Sequence, residues 1–332
     1  MPVRSLAPRR PVLLPVLLAG LASFGAASAA DAAIRFVNAA QNLPIASQNG
    51  TTWTLAFKSL TSALAVSLDG DQIWVAEGTY VPSNTASRFA TFSLSKQLEI
   101  YGGFLPGAVA LTDRDPAAYP TILSGDLGVI GDTSDNCFRV VQVTKASSID
   151  GFTIRDGNAN NAGPGFTSGT GMFITFATNV KVRNCRFTAN AATSRGAGVQ
   201  CLSTVALFAG CVFDGNVANN AGGALDVQQA SSTLVNCGFF GNSGLGGAGA
   251  FFLDSDGTTL QNCVFSGNTA AQGGGAIETS GTDASMQNCT FVANKAILLP
   301  GGAIVQAFSN GVVAIGNCVF QKHRGAIGTR HF

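Results

Sequence analysis

The chain has 332 residues, only 11% of them charged, and 19 Lys and Arg against 18 Asp and Glu leave a formal net charge of +1. So balanced a sequence sets up no long-range field, which excludes a nucleic-acid partner held through its phosphates. Ser, Thr, Asn, Gln and Gly must cover the surface instead, as suits an exported protein.

In chain order, Arg4, Arg9 and Arg10 precede an apolar run from Val12 to Phe24 that ends in small residues at Ala27-Ser28-Ala29. The run is shorter than the roughly 20 residues a membrane span needs. It reads as a signal peptide, residues 1–30, cleaved near Ala29 or Ala30. The expected localisation is therefore secreted or cell surface, including association with an outer membrane. No later stretch reaches eighteen uninterrupted apolar residues, so no integral membrane domain is expected.

Residues 31–68 read as an N-terminal segment and cap. Trp53, Leu55, Phe57, Leu60, Leu64 and Val66 are spaced for an amphipathic helix over 51–67, ending near Asp69. Such a helix would cover strand edges that otherwise invite aggregation. From residue 69 to 332 the chain reads as strands and turns. Gln72 to Ala76, Leu98 to Tyr101 and Phe138 to Val143 alternate, with surface loops at about 82–90 and 106–136.

A strict period then sets in. Cys185, Cys211, Cys237, Cys263 and Cys289 stand 26 residues apart, and Phe187, Phe213, Phe239, Phe265 and Phe291 keep the same interval. Asn190, Asn216, Asn242, Asn268 and Asn294 hold that register too. Such self-similarity is the mark of a solenoid. Thr233 to Phe239 alternates with a period of two, and no unit shows helical spacing over ten residues, so each unit is one coil of a parallel β-helix. The expected fold is all-β: a single-stranded parallel β-helix with an N-terminal helical cap. Regular coils run over about 170–304, followed by an irregular C-terminal coil ending at 322–327.

Stacking explains the repeated residues. Coils lie roughly 4.8 Å apart, so each inward side chain meets its counterpart in the next coil. Phe152 and Ile154 are the inward pair that becomes Cys185 and Phe187 one coil later. The asparagines read as an inward amide ladder at a left-handed turn, or as caps of their own turns. Glycine segments at Gly196–Val199, Gly222–Leu225, Gly247–Phe251, Gly274–Ile277 and Gly301–Ile304 lead into strands whose Leu225, Phe251 and Ile277 point inward. No Gly-Lys-Ser/Thr follows Gly273-Gly274-Gly275, so a phosphate cradle is not indicated. Eight cysteines in an exported chain would suggest disulfides. Column members point the same way, which favours stacked buried thiols, with one or two bridges as the alternative. Cys201 falls at the inward position of Val227 and Leu253. His323 and His331 are the only histidines and lie far from any cysteine pair, so zinc is not expected.

The one acidic cluster that register defines is the outward column Gln200, Asp226, Phe252, Glu278 and Val305, with Asp254 on the intervening coil. Asp226, Asp254 and Glu278 are the candidate catalytic residues, since glycoside hydrolysis takes a carboxylate pair. No lysine or arginine is evident beside them, and solvated carboxylates on a strand are the simpler reading. Weak calcium binding by Asp226, Asp254 and Asp256 is the only cofactor the sequence allows, and it supplies too few oxygens for a full site.

The FxxN elements Phe187-Thr188-Ala189-Asn190 to Phe291-Val292-Ala293-Asn294, joined with Gly222-Gly223-Ala224-Leu225, Gly274-Gly275-Ala276-Ile277 and Gly301-Gly302-Ala303-Ile304, resemble the repeats of the chlamydial-type polymorphic outer membrane proteins. That family lies within the pectin-lyase-like superfamily, so the resemblance, which covers about 170–328, implies that the single-stranded parallel β-helix is right-handed. It implies a surface or secreted passenger scaffold with a role in adhesion and carries over no catalytic residue. The family's C-terminal barrel has no room after residue 328. The expected function is thus an exported structural or adhesive β-helix without catalysis, a monomer binding an extracellular glycan or surface protein through polar ladders and exposed aromatics such as Phe252. The alternative is a polysaccharide lyase or glycoside hydrolase.

Overall fold

The computed structural model describes residues 32–332, except 161, 164, 299–300, 308–310, 324–327 and 330–332. The expected signal peptide and most of the expected final coil at 322–327 lie outside the described residues.

Short strands stack in parallel into sheets of ten, nine, nine and five strands, which make a right-handed parallel β-helix. The ten-stranded sheet runs from Ile34–Val37 to Val313–Gly316, and the phenylalanine-bearing sheet from Gly78–Tyr80 to Val319–Gln321. A second nine-stranded sheet carries the strands that follow the glycine segments, among them Val199–Leu202, Leu225–Gln228, Ala250–Leu253 and Ile277–Ser280. The five short strands, Ala191–Ala192 to Lys295–Ala296, form a narrow corner.

The expected columns are the core. Phe187, Phe213, Phe239, Phe265 and Phe291 pair in register and are fully buried. Their rings stack at centroid distances of 5.0, 4.6, 4.4 and 5.2 Å, and Phe320 extends the stack at 4.8 Å. Such pairs add to the area that each ring buries. Beneath them the cysteines are free thiols, seven buried and Cys318 half-buried. In the column from Cys185 to Cys318 each Sγ donates to a carbonyl of the preceding coil, as Cys211 does to Val182 at 3.4 Å and Cys237 to Phe208 at 3.4 Å. Burial pushes Cys185 up to about 12 and Cys201 higher still, so these thiols act as small apolar residues.

The asparagines form a continuous inward ladder. Nδ2 of Asn190, Asn216, Asn242 and Asn268 donates to Oδ1 of the next member at 3.0, 3.0, 2.9 and 2.8 Å. The left-handed turn is not theirs, however. It belongs to the residue before each, Ala189, Gly215, Gly241, Gly267 and Ala293, at φ between 52° and 66°. A second asparagine column that the sequence reading passed over, Asn184, Asn236, Asn262, Asn288 and Asn317, also turns left-handed just before its cysteines, with Gly210 in that place before Cys211. Asparagine tolerates this region because its short amide bonds locally.

The cap differs from expectation. The helix is only Leu60–Val66, started by Ser59, whose Oγ accepts from the Ser62 amide at 3.1 Å. Before it, Trp53–Leu55 is a single 3-10 turn, and Phe57 bridges in parallel to Val37. The Phe57 amide donates to Phe36 at 2.9 Å, and a backbone so engaged cannot continue a helix. The sheet itself begins at Ile34, well before residue 69. Helix residues Leu60, Ala63 and Leu64 are buried, and the helix packs on strands Ile34–Val37 and Phe92–Leu94.

Candidate functional site

The acidic column is built differently from its expected form. Gln200 pairs with Asp226, Asp226 with Phe251, Phe251 with Glu278, and Glu278 with Val305. Phe252 instead faces inward between Val227 and Thr279, fully buried, and so is no exposed aromatic. It, not Leu253, follows Cys201 and Val227 in the core column. The cause is a compensated slip. Gly247 comes 25 residues after Gly222 and 27 before Gly274, while the cysteines keep 26, and one residue of register exchanges the two faces of a strand. Ala250 therefore takes the inward place expected for Phe251.

With Phe251 outward, a base joins the acids. The Arg195 guanidinium lies 4.9 Å from the Phe251 ring centroid, and its Nη1 is 3.8 Å from Asp226 Oδ1. Asp226 Oδ2 accepts from Gln200 Nε2 at 2.9 Å and Gln228 Nε2 at 2.7 Å. Asp226 is 0% exposed, so the solvated-carboxylate reading fails for it, whereas Asp254 is exposed as that reading expects. Glycine turns form the roof: a Cβ on Gly222 would stand 2.7 Å from Asp226 Cβ, and one on Gly273 would stand 2.0 Å from Glu278 Oε2. Burial pushes Asp226 up to about 6, against the opposing pull of Gln200 and Arg195. Burial likewise pushes Glu278 up to about 7, against Arg195 and the amides of Gly247 and Gly274.

Asp254 is not part of this group. It sits at a left-handed corner three residues past Phe251, about 10 Å along the strand, at the mouth of a shallow depression shared with Asp256. The three expected acids are thus not assembled, and the calcium set of Asp226, Asp254 and Asp256 is divided in the same way. A general acid must reach its substrate, and Asp226 lies sealed beneath glycine backbone.

The open site is elsewhere. A cleft of about 730 Å³ lies between the 105–120 loop and three successive coils, with Gly151, Thr153, Asn184, Arg186 and Val212 on its floor. Leu111, Arg114 and Pro116 line its opposite wall. Arg114 Nη2 pairs with Asp150 Oδ1 at 2.6 Å, its guanidinium is 5.2 Å from the Tyr101 ring centroid, and Asn184 Nδ2 donates to the same Asp150 oxygen at 3.0 Å. Arg186 grips Asp214 with two bonds, 2.8 and 2.9 Å, and holds its carboxyl below the usual range. These are planar, prearranged donors and acceptors with little net charge.

Gly151 makes the cleft wall fit. At φ 83° a Cβ there would stand 2.7 Å from Arg114 Nη2 and 2.8 Å from Pro116 Cγ. Gly151→Ala is expected to cost about 1–3 kcal/mol in urea unfolding and to expose the 105–120 loop to protease. Unchanged stability and cleavage would show that the loop does not depend on this contact. Sequence reading missed the cleft because its wall and floor are separated by tens of residues, and Gly102-Gly103 and Gly151 were its only local traces.

One of two matching family profiles agrees with the coil. A family profile described as "Protein of unknown function (DUF1565)" matches residues 46–237, and one described as "Right handed beta helix region" matches residues 203–330. No curated protein matches. Among solved structures, a pectate lyase is 12% identical at a TM-score of 0.41, covering 86% of this chain and 78% of that one. A pectin methylesterase mutant in complex with a hexasaccharide is 11% identical at 0.38, covering 84% and 90%. Among the described residues no helix is long and apolar enough to cross a membrane.

Proposed function

The chain belongs to the DUF1565 family of proteins of unknown function, and from that premise we propose an exported, non-catalytic β-helix that holds an extended neutral glycan in the cleft under the 105–120 loop. The observation that carries this reading is the cleft floor, which crosses three coils and presents Asn184 and the Arg186–Asp214 fork side by side. A polyhydroxyl chain offers donors and acceptors at regular intervals, and fixed amide, carboxylate and guanidinium groups match both. The ion pairs leave little net charge, which favours hydroxyls over a strongly charged ligand. The resemblance of the FxxN and GGA repeats to those of a surface-passenger family is the ground for proposing a role of the adhesive kind, with the protein acting as a monomer.

Titration of the mature protein against a panel of neutral and acidic oligosaccharides tests the reading. Binding to a neutral chain should weaken at least about tenfold in Arg186→Ala and in Asp214→Ala, or roughly 1.4 kcal/mol. Binding that both variants retain, or binding to none of the panel, would remove the cleft from consideration. Cleavage of any oligosaccharide would replace the binding reading with a lyase or hydrolase.

A further inference from the structure

We propose that the loop 126–136 binds a calcium-class divalent cation through Asp126, Asp135 and Asn136. Each aspartate spends one oxygen on the loop itself: the Gly131 amide donates to Asp126 Oδ2 at 2.9 Å, and the Val129 amide to Asp135 Oδ2 at 2.7 Å. Those amides are two residues apart in a turn closed by the Asp132 amide on the Val129 carbonyl at 2.9 Å. The two remaining carboxylate oxygens thus belong to side chains anchored on the same turn.

Neither has a donor. Oδ1 of Asp126 and Oδ1 of Asp135 are shielded from solvent without a hydrogen-bond partner, and so is Oδ1 of Asn136, a residue only 4% exposed. Three orphaned acceptors in eleven residues, with no orphaned side-chain donor among them, call for a positive ligand. Arg88 is the nearby guanidinium, and its N–H groups go to the carbonyls of Asn136, Asn158 and Asn160 and to the Asn160 side chain. Asp156, on the neighbouring coil, is held by Arg155 at 3.0 Å and by Ser124.

Among the described residues no three His, Cys, Asp or Glu side chains converge on a metal position. The site therefore consists of two carboxylates and an amide, to be completed by backbone carbonyls and water. Hard oxygen donors in a flexible loop suit calcium, whereas magnesium demands a near-ideal octahedron and soft metals want sulfur. Only two formal charges place the affinity in the weak range, about 10⁻⁴–10⁻³ M.

Calorimetric titration of the mature protein with calcium and with magnesium, paired with thermal melts, tests this independently of the glycan cleft. One saturable calcium site is expected, with a raised melting temperature that magnesium does not reproduce. Asp126→Asn and Asp135→Asn should each weaken it at least tenfold, and Asn136→Asp should tighten it by adding a third carboxylate. Absence of saturation by about 10 mM calcium, unchanged affinity in both asparagine variants, or loss of binding in Asp254→Asn with Asp256→Asn would overturn the proposal. Should the aspartate variants fail to fold, Asn136→Asp decides alone: affinity unaltered or weakened counts against the site.

Discussion

Replacing Asn242 with leucine is expected to destabilise the protein by about 4 kcal/mol, although the two side chains are close in size. Its Nδ2 donates to the Phe213 carbonyl at 3.0 Å and to Asn268 Oδ1 at 2.9 Å, while its Oδ1 accepts from the Asn216 amide and Nδ2, both at 3.0 Å. Asn242 is fully buried, so no water can replace what leucine removes. The Phe213 carbonyl and the Asn216 amide are left with no side-chain partner, at about 1–3 kcal/mol each, and the amide chain is cut in the middle. Asn294 provides the comparison. It bonds the Phe265 carbonyl at 2.8 Å and accepts from Asn268 but donates to no further amide, so Asn294→Leu should cost less. Urea unfolding of both variants checks this, and equal losses would mean that the ladder is a set of separate caps.

Lowering the pH from about 8 to about 5 should stabilise the protein, against the usual course of acid denaturation. Asp226 titrates near 6 when folded against an ordinary 3.8, and Glu278 near 7 against 4.5, in both cases because burial penalises the charge. A carboxyl raised on folding binds its proton more tightly in the native state. Its stabilising contribution is complete below the unfolded value and is lost as pH rises through 6 to 7. At about 1.4 kcal/mol per unit, Asp226 passes through roughly one unit between pH 6 and pH 5 and accounts for about 1.4 kcal/mol between the two ends. Asp226→Asn should remove its share of that slope and raise stability at about pH 8, since the amide keeps an acceptor for Gln200 and sheds the buried charge. Glu278→Gln should act in the same direction. Asp214, held down by Arg186, contributes the opposite sign only in more acid solution. Unfolding free energies that stay level or climb between about pH 5 and pH 8 would contradict this account, as would an Asp226→Asn protein weaker than wild type at the upper end.

The two effects differ in how far they could be read beforehand. Asn242 declares itself through its 26-residue interval, because an amide on a solenoid axis must find another amide directly above it. Nothing local marks Asp226 as buried. Its cover comes from Gly196 and Gly222 and its base from Arg195, one coil away. Phe251 and Phe252 are adjacent and chemically identical, so only pairing with Asp226 and Glu278 on one side, and Val227 and Thr279 on the other, tells which ring faces the core.

The amino-acid sequence by itself determined the coil, its period and its phenylalanine, cysteine and asparagine columns, since stacking like on like at a fixed spacing writes the same residue at the same interval. Tertiary structure alone decided the face of Phe251, the sealing of Asp226, the shortened cap helix and the cleft beneath the 105–120 loop. Each of those depends on backbone from another coil or a distant loop closing over a side chain, and a contact made once leaves no period to read.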